Sequence, residues 1–232
     1  SPVEGLLHKY EMGLMYVVLT MVDRDALEDG GARHVAEVVA ALKRRDPSIL
    51  VEALTGDFQG NEDQIATIVH GVEEFGTDED GVPLRVDVFA HNIETVLRLT
   101  PRVRDQRCSY SQPLGVLETA KRLRPDVVTK SSVMLGLGES EREVEQTMDE
   151  LREHDVDVVT FGQYLRPTIK HLPVREHVTP ARFKSIEQRA MKKGFLYVAS
   201  GPRVRSSYKA AEFYLEGMLR NRRAKGAVEG EE

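Results

Sequence analysis

Six short apolar runs rich in β-branched residues, each separated from the next by a segment of helical periodicity, constrain this chain more than any other feature. The runs are residues 16–20, 49–53, 86–90, 127–134, 158–164 and 195–200. Between them, apolar residues recur near every 3.6 positions: Val35, Val38, Val39 and Leu42; then Ile65, Ile68, Val69 and Val72; then Leu114, Leu117 and Leu123. Ser140 and Glu143 form a capping box ahead of Val144, Met148 and Leu151. Thr179-Pro180 opens a further helix that Gly194 closes. Near-continuous apolar strands alternating with amphipathic helices predict α/β architecture with a parallel sheet covered by helices.

The strand ends point to a β/α barrel rather than an open sheet. Polar residues gather at or just after the C-terminal end of nearly every run: Thr20 and Asp23, Glu52 and Asp57, His91 and Asn92, Lys130 and Ser132, and Gln163. In such a barrel the reactive side chains come from those ends. Gly136-Leu137-Gly138-Glu139 is a weak dinucleotide signal, since it follows the fourth run and lacks a third glycine. Residues 75–84 read as a polar surface insertion.

Several function classes drop out on composition. Thirty-eight acidic against 32 basic residues leave a net charge of −6, which offers no basic face to nucleic acid. Apolar runs stop well short of the roughly 20 residues that a membrane-spanning helix needs. The one cysteine, Cys108, builds neither a disulfide nor a cysteine-based zinc site. Ser1–Leu7 lacks signal-peptide character, and the start without Met reads as processed or truncated. Residues 220–232 read as a charged, flexible tail.

Lys130 is the sharpest candidate for chemistry. Inside an apolar strand it is either a desolvated nucleophile for a Schiff-base aldolase, with Glu52 or Asp57 as proton shuttle, or a charged anchor for an anionic ligand or for Glu52. Asp23-Arg24-Asp25 with Asp29-Gly30-Gly31 could chelate a metal, hold a polar ligand at a helix start, or simply cap a loop. His91 is more readily structural than functional. Arg205-Ser206-Ser207-Tyr208 reads by default as a helix start. The residues alone lead to a barrel enzyme with a polar site at its strand ends.

Motif by motif, the chain from Tyr16 to about Leu219 resembles the lipoyl synthase family of radical S-adenosylmethionine enzymes. The shared segments are Tyr16-Val17-Val18-Leu19-Thr20, Val22-Asp23-Arg24-Asp25, Asp29-Gly30-Gly31-Ala32, Ala90-His91-Asn92-Ile93-Glu94-Thr95-Val96 and Val103-Arg104-Asp105. Further along come Thr129-Lys130-Ser131-Ser132-Val133-Met134-Leu135-Gly136-Leu137-Gly138-Glu139, Gly162-Gln163-Tyr164, Ser200-Gly201-Pro202 and Val204-Arg205-Ser206-Ser207-Tyr208-Lys209-Ala210.

The resemblance implies a partial (β/α) barrel of the radical-SAM type over residues 1–219, with its first strand and N-terminal cluster segment missing here. It implies two [4Fe-4S] clusters and S-adenosyl-L-methionine as cofactors. The implied reaction inserts two sulfurs at C6 and C8 of a protein-bound octanoyl group, giving lipoyl-lysine. Ser207 would be a ligand of the auxiliary, sulfur-donating cluster. Asp29, Gly30 and Gly31 would hold the amino group of S-adenosylmethionine, and Glu52, Asn92, Glu94, Arg104, Lys130, Ser132 and Gln163 would face its pocket, with Lys130 anchoring a carboxylate. Implied partners are octanoylated carrier proteins (2-oxoacid dehydrogenase E2 subunits and glycine cleavage H protein) and an electron donor such as ferredoxin. The implied compartment is the mitochondrion or plastid in a eukaryote, otherwise the cytoplasm. All six cluster cysteines of the family pattern are absent from this sequence and are expected upstream of Ser1, so the chain alone is expected to be inactive. The alternatives are a cysteine-free pseudoenzyme that binds a partner and, behind it, the Lys130 aldolase.

Overall fold

A computed structural model describes residues 15–22, 24, 26–205 and 214–219. Six strands form one parallel sheet in sequence order: β1 (Tyr16–Thr20), β2 (Leu50–Leu54), β3 (Val88–Ala90), β4 (Val128–Leu135), β5 (Val158–Gln163) and β6 (Tyr197–Gly201). The helices are α1 (Ala32–Arg45), α2 (Glu62–His70), α3 (Thr100–Val103), α4 (Ser111–Leu123), α5 (Glu141–Glu153) and α6 (Pro180–Lys192). Strands that follow one another in sequence order, each crossing back through a helix, curl a sheet into a barrel wall. Here β1 and β6 are its two edges, so the barrel is partial.

Both faces of the sheet are buried, because successive strand residues point to opposite sides. Val17, Val51, Phe89, Val133, Val159 and Phe161 pack outward against the helices. Tyr16, Leu50, Val88, Val128 and Val158 point inward and meet Leu215 and Leu219 from the described helical turns at 214–219. That segment floors the barrel at the N-terminal ends of the strands, with Tyr214 stacked on Tyr197 at 4.6 Å between ring centroids.

Helix boundaries follow local chemistry. The Ser140–Glu143 capping box starts α5, and Thr179 with Pro180 starts α6. Helix α2 stops two residues earlier than its apolar period suggests, which leaves Val72 outside. Gly71 has φ 74°, and a Cβ there would stand 2.5 Å from the Leu84 carbonyl oxygen. Residues 75–84 do form a surface loop, turned by the Asp78 carboxylate, which accepts from Asp80 and Val82 N–H.

One anchoring device occurs twice. Lys43, in the last turn of α1, donates to the Ile49 carbonyl and to Asp87, whose carboxylate also accepts from Val51 N–H. Lys121, in the last turn of α4, donates to the Val127 carbonyl and to Asp157, which accepts from Thr129 N–H. In both, a lysine six residues before a carbonyl ties a helix end to the start of the next strand, and an aspartate leading into the strand after that completes the knot. Paired and hydrogen-bonded charges are the form in which buried ions are tolerated.

Candidate functional site

The segment after β3 builds one wall of the site. Ser131 Oγ accepts from Ile93 N–H, Glu94 N–H donates to the Ser132 carbonyl, and Met134 N–H donates to the Glu94 carbonyl. This ladder holds Glu94 at φ 68°, a left-handed conformation that non-glycine residues adopt at a cost. Asn92 Nδ2 donates to Glu94 Oε1 at 3.1 Å, and Arg104 Nη1 reaches the Asn92 carbonyl at 3.4 Å.

Asn92, Glu94, Ser132 and Gln163 line one cavity of about 250 Å³, together with Gly162, Leu165, Val204 and Arg205. It lies where the C-terminal ends of β4 and β5 meet the segments after β3 and β6. Arg205 brings the cationic group that the sequence reading took for part of a helix start; its Nη1 donates to the Val204 carbonyl at 2.8 Å. Gly162 leaves room for that turn, since a Cβ there would stand 2.4 Å from the same carbonyl oxygen. Arg104 supports this wall from behind, through Asn92.

Gln163 borders the cavity, yet its amide is committed to backbone. Nε2 donates to carbonyls of Leu135, Tyr164 and Glu176, and Oε1 accepts from Val178 N–H. Its work is to bind the 175–178 segment to the barrel rim. The Gly136-Leu137-Gly138-Glu139 turn is likewise filled from within. The Glu139 carboxylate takes the N–H groups of Gly136 and Leu137 at 2.6 and 2.9 Å, where a phosphate would otherwise sit.

Glu52 and Lys130 lie apart from this cavity. Both are buried inside the barrel, below the layer of Ser132, and neither is among the cavity's lining residues. Lys130 Nζ meets the two Glu52 carboxylate oxygens at 2.7 and 2.8 Å, and Tyr16 OH donates to Glu52 Oε2 at 2.7 Å. The carboxylate that Lys130 anchors is therefore Glu52. A Schiff-base aldolase needs a free amine open to a carbonyl substrate, and this ion pair denies it one.

Asp29, Gly30 and Gly31 form the start of α1. The Asp29 carboxylate accepts from Gly31 and Arg33 N–H at 2.9 and 3.0 Å, and these bonds hold its pKa below the ordinary carboxylate range. The carbonyls of Asp29 and Gly31 accept from Ala32 and Val35 N–H. Gly31 borders a second, largely apolar cavity of about 420 Å³ along β1 and α1, which shares no lining residue with the first. His91 is buried with Nδ1 against the Thr55 carbonyl at 2.9 Å, and Asp57 caps a single turn through Gln59 N–H. Ser207, with Asp23 and Asp25, lies outside the described residues.

Burial is the main reason the Glu94 carboxyl sits above the usual carboxylate range, against the pull of Asn92 and Arg104. A folded pKa above the unfolded one means the folded state holds the extra proton. Stability is then complete below the unfolded value and falls as pH rises through the folded one. Glu94→Gln is expected to remove this fall and to be the more stable protein at neutral pH. Urea midpoints measured between about pH 4 and 7 check it, and parallel curves for the two proteins would refute it.

For S-adenosylmethionine the cavity is a chemical fit. It offers a carboxylate, an amide, a hydroxyl and a guanidinium, and the buried Thr160 hydroxyl, in register with Ser132 but not lining the cavity, has no hydrogen-bond partner among the described residues. Iron–sulfur clusters do not fit here. Among the described residues no group of three His, Cys, Asp or Glu could hold a metal, and Cys108 stands alone on the loop before α4.

Known proteins place the chain in a lineage. It is 54% identical over 212 residues to the mitochondrial lipoyl synthase of Aspergillus niger, an overlap covering 91% of this chain and 48% of that protein. With the mitochondrial lipoyl synthase of Eremothecium gossypii it shares 54% over 211 residues, 91% of this chain and 54% of the relative. This chain is a relative of the lipoyl synthases. It spans about half the length of the curated relatives it matches. No protein-family model matches it. Among solved structures, methylornithine synthase (PylB) aligns over 82% of this chain and 52% of its own, with a TM-score of 0.62 at 15% identity. That likeness establishes the fold alone, a partial β/α barrel, in agreement with the expectation from the strand ends.

Proposed function

We propose that this chain is the ligand-binding barrel of a lipoyl synthase, whose reaction inserts two sulfurs at C6 and C8 of an octanoyl group carried on a protein lysine. The observation that carries the reading is the cavity that joins Asn92, Glu94, Ser132 and Arg205, in a sequence 54% identical to named lipoyl synthases. When bound, S-adenosylmethionine would supply the reducible sulfonium from which the reaction starts. Asn92, Glu94 and Ser132 would bind polar groups of its adenosyl end, the α1 start at Asp29, Gly30 and Gly31 would hold its amino group, and Arg205 would face another anionic group. Arg104 and Gln163 would hold those walls in place, while Glu52 and Lys130 keep the interior beneath them rigid and closed to water.

The two [4Fe-4S] clusters need ligands that the described residues do not contain, with Ser207 proposed for the auxiliary one. Octanoylated E2 subunits and H protein as substrates, a ferredoxin-type donor and a mitochondrial setting follow from the same reading. The last has support in the names of the relatives. Titrating the natural protein with S-adenosylmethionine tests it. Saturable binding is expected, weakened about tenfold or more by Asn92→Ala, which is the loss of about 1.4 kcal/mol. Equal binding by variant and wild type would overturn the assignment.

A further inference from the structure

Beside the cavity, the loop that leaves β5 displays an apolar residue in an unusual way. Ile169 is 84% exposed, the most exposed large apolar side chain among the described residues. A lone exposed isoleucine is ordinary. This one sits on a loop built to stay folded. The Arg166 guanidinium donates back to the carbonyls of His171, at 2.8 Å, and of Ile169 itself. The Thr168 hydroxyl bonds His171 Nδ1 at 2.8 Å and accepts from Lys170 N–H, and Tyr164 OH ties down the Leu172 carbonyl at 2.9 Å. These contacts order the backbone around Ile169 without covering its side chain. Ordering ahead of contact lowers the entropic cost of binding a partner.

Charge says what kind of partner. Residues 165–175 contain Arg166, Lys170 and Arg175 and no acidic residue, in a chain whose net charge is −6. The loop begins at Leu165, itself 54% exposed and a lining residue of the cavity, so a partner seated on Ile169 stands at the cavity mouth. Resting on the function proposed above, we infer that residues 165–175 are the docking surface for the folded carrier domain that bears the octanoyl-lysine. Recognition pairs an acidic patch of that domain with Lys170 and Arg175 around an apolar contact at Ile169. An apolar centre ringed by complementary charge supplies affinity at the centre and orientation at the rim.

The test compares two probes on the natural protein: an octanoylated carrier domain, and a short octanoyl-lysine peptide that lacks the domain's surface. Binding is read by fluorescence anisotropy, with no turnover required. Ile169→Ser and Lys170→Glu each change an exposed side chain and leave the loop's own hydrogen bonds intact. Each is expected to weaken the domain about tenfold or more, with peptide binding unchanged. Added salt should weaken the wild type more than Lys170→Glu. If both variants bind the domain as the wild type does, the docking surface is wrong while the function stands. If the wild type binds neither probe, the function and the surface fall together.

Discussion

Replacing Lys130 with Met is expected to lower stability by about 3–5 kcal/mol, because it leaves the Glu52 carboxylate buried with its main counter-charge gone. Glu52 is fully buried, and its partners are the two short contacts from Lys130 and the hydroxyl of Tyr16. One phenol hydrogen bond does not replace an ammonium inside a barrel. In a domain of this size the loss corresponds to a melting temperature lower by ~10 °C or more. Urea unfolding followed by far-ultraviolet circular dichroism measures it. The double variant Glu52→Leu with Lys130→Met replaces both charges by apolar groups of similar volume, and it should recover most of the loss. A double variant as unstable as the single one would show that the ion pair is not the cause.

The second large effect falls on the ligand. In Gly162→Ala the new methyl would meet the Val204 carbonyl oxygen at 2.4 Å, a contact that backbone cannot absorb without moving. That carbonyl also receives the Arg205 guanidinium, so the same push displaces the cavity's cation. Overpacking of this kind costs about 1–3 kcal/mol. If the strain is relieved by moving the 201–205 turn, affinity for S-adenosylmethionine should drop roughly tenfold or more while the sheet persists. Calorimetric titration, with circular dichroism as the control for folding, reads both. Undiminished affinity would place the ligand away from Arg205.

The strands and two of the helix starts were legible beforehand because their signals are local. Each observed strand begins and ends within two residues of its apolar run, since a β-branched segment buried on both faces declares itself in five or six positions. The Ser140 and Thr179 caps are likewise written within four residues. Asn92, Glu94 and Ser132, polar residues at strand ends, line one cavity. Reading left alternatives open where the partner is distant. Lys130 and Glu52 are 78 positions apart, and the runs alone left Lys130 as a nucleophile, an anchor for an anionic ligand or the partner of Glu52. Arg205 was missed for the same reason. Its neighbours read as a helix start, and only Gly162 and the returning turn after β6 carry its guanidinium to the cavity.

Periodicity, caps and motif order therefore settled the α/β architecture and the kinship with lipoyl synthases. Tertiary structure alone decided which polar residues share a cavity, which spend themselves on the backbone as Gln163 and Glu139 do, and which form the closed Tyr16–Glu52–Lys130 interior. The physical reason is range. A strand or a cap is stabilised by residues a few positions away, whereas burial and charge pairing depend on where the whole sheet brings distant side chains together.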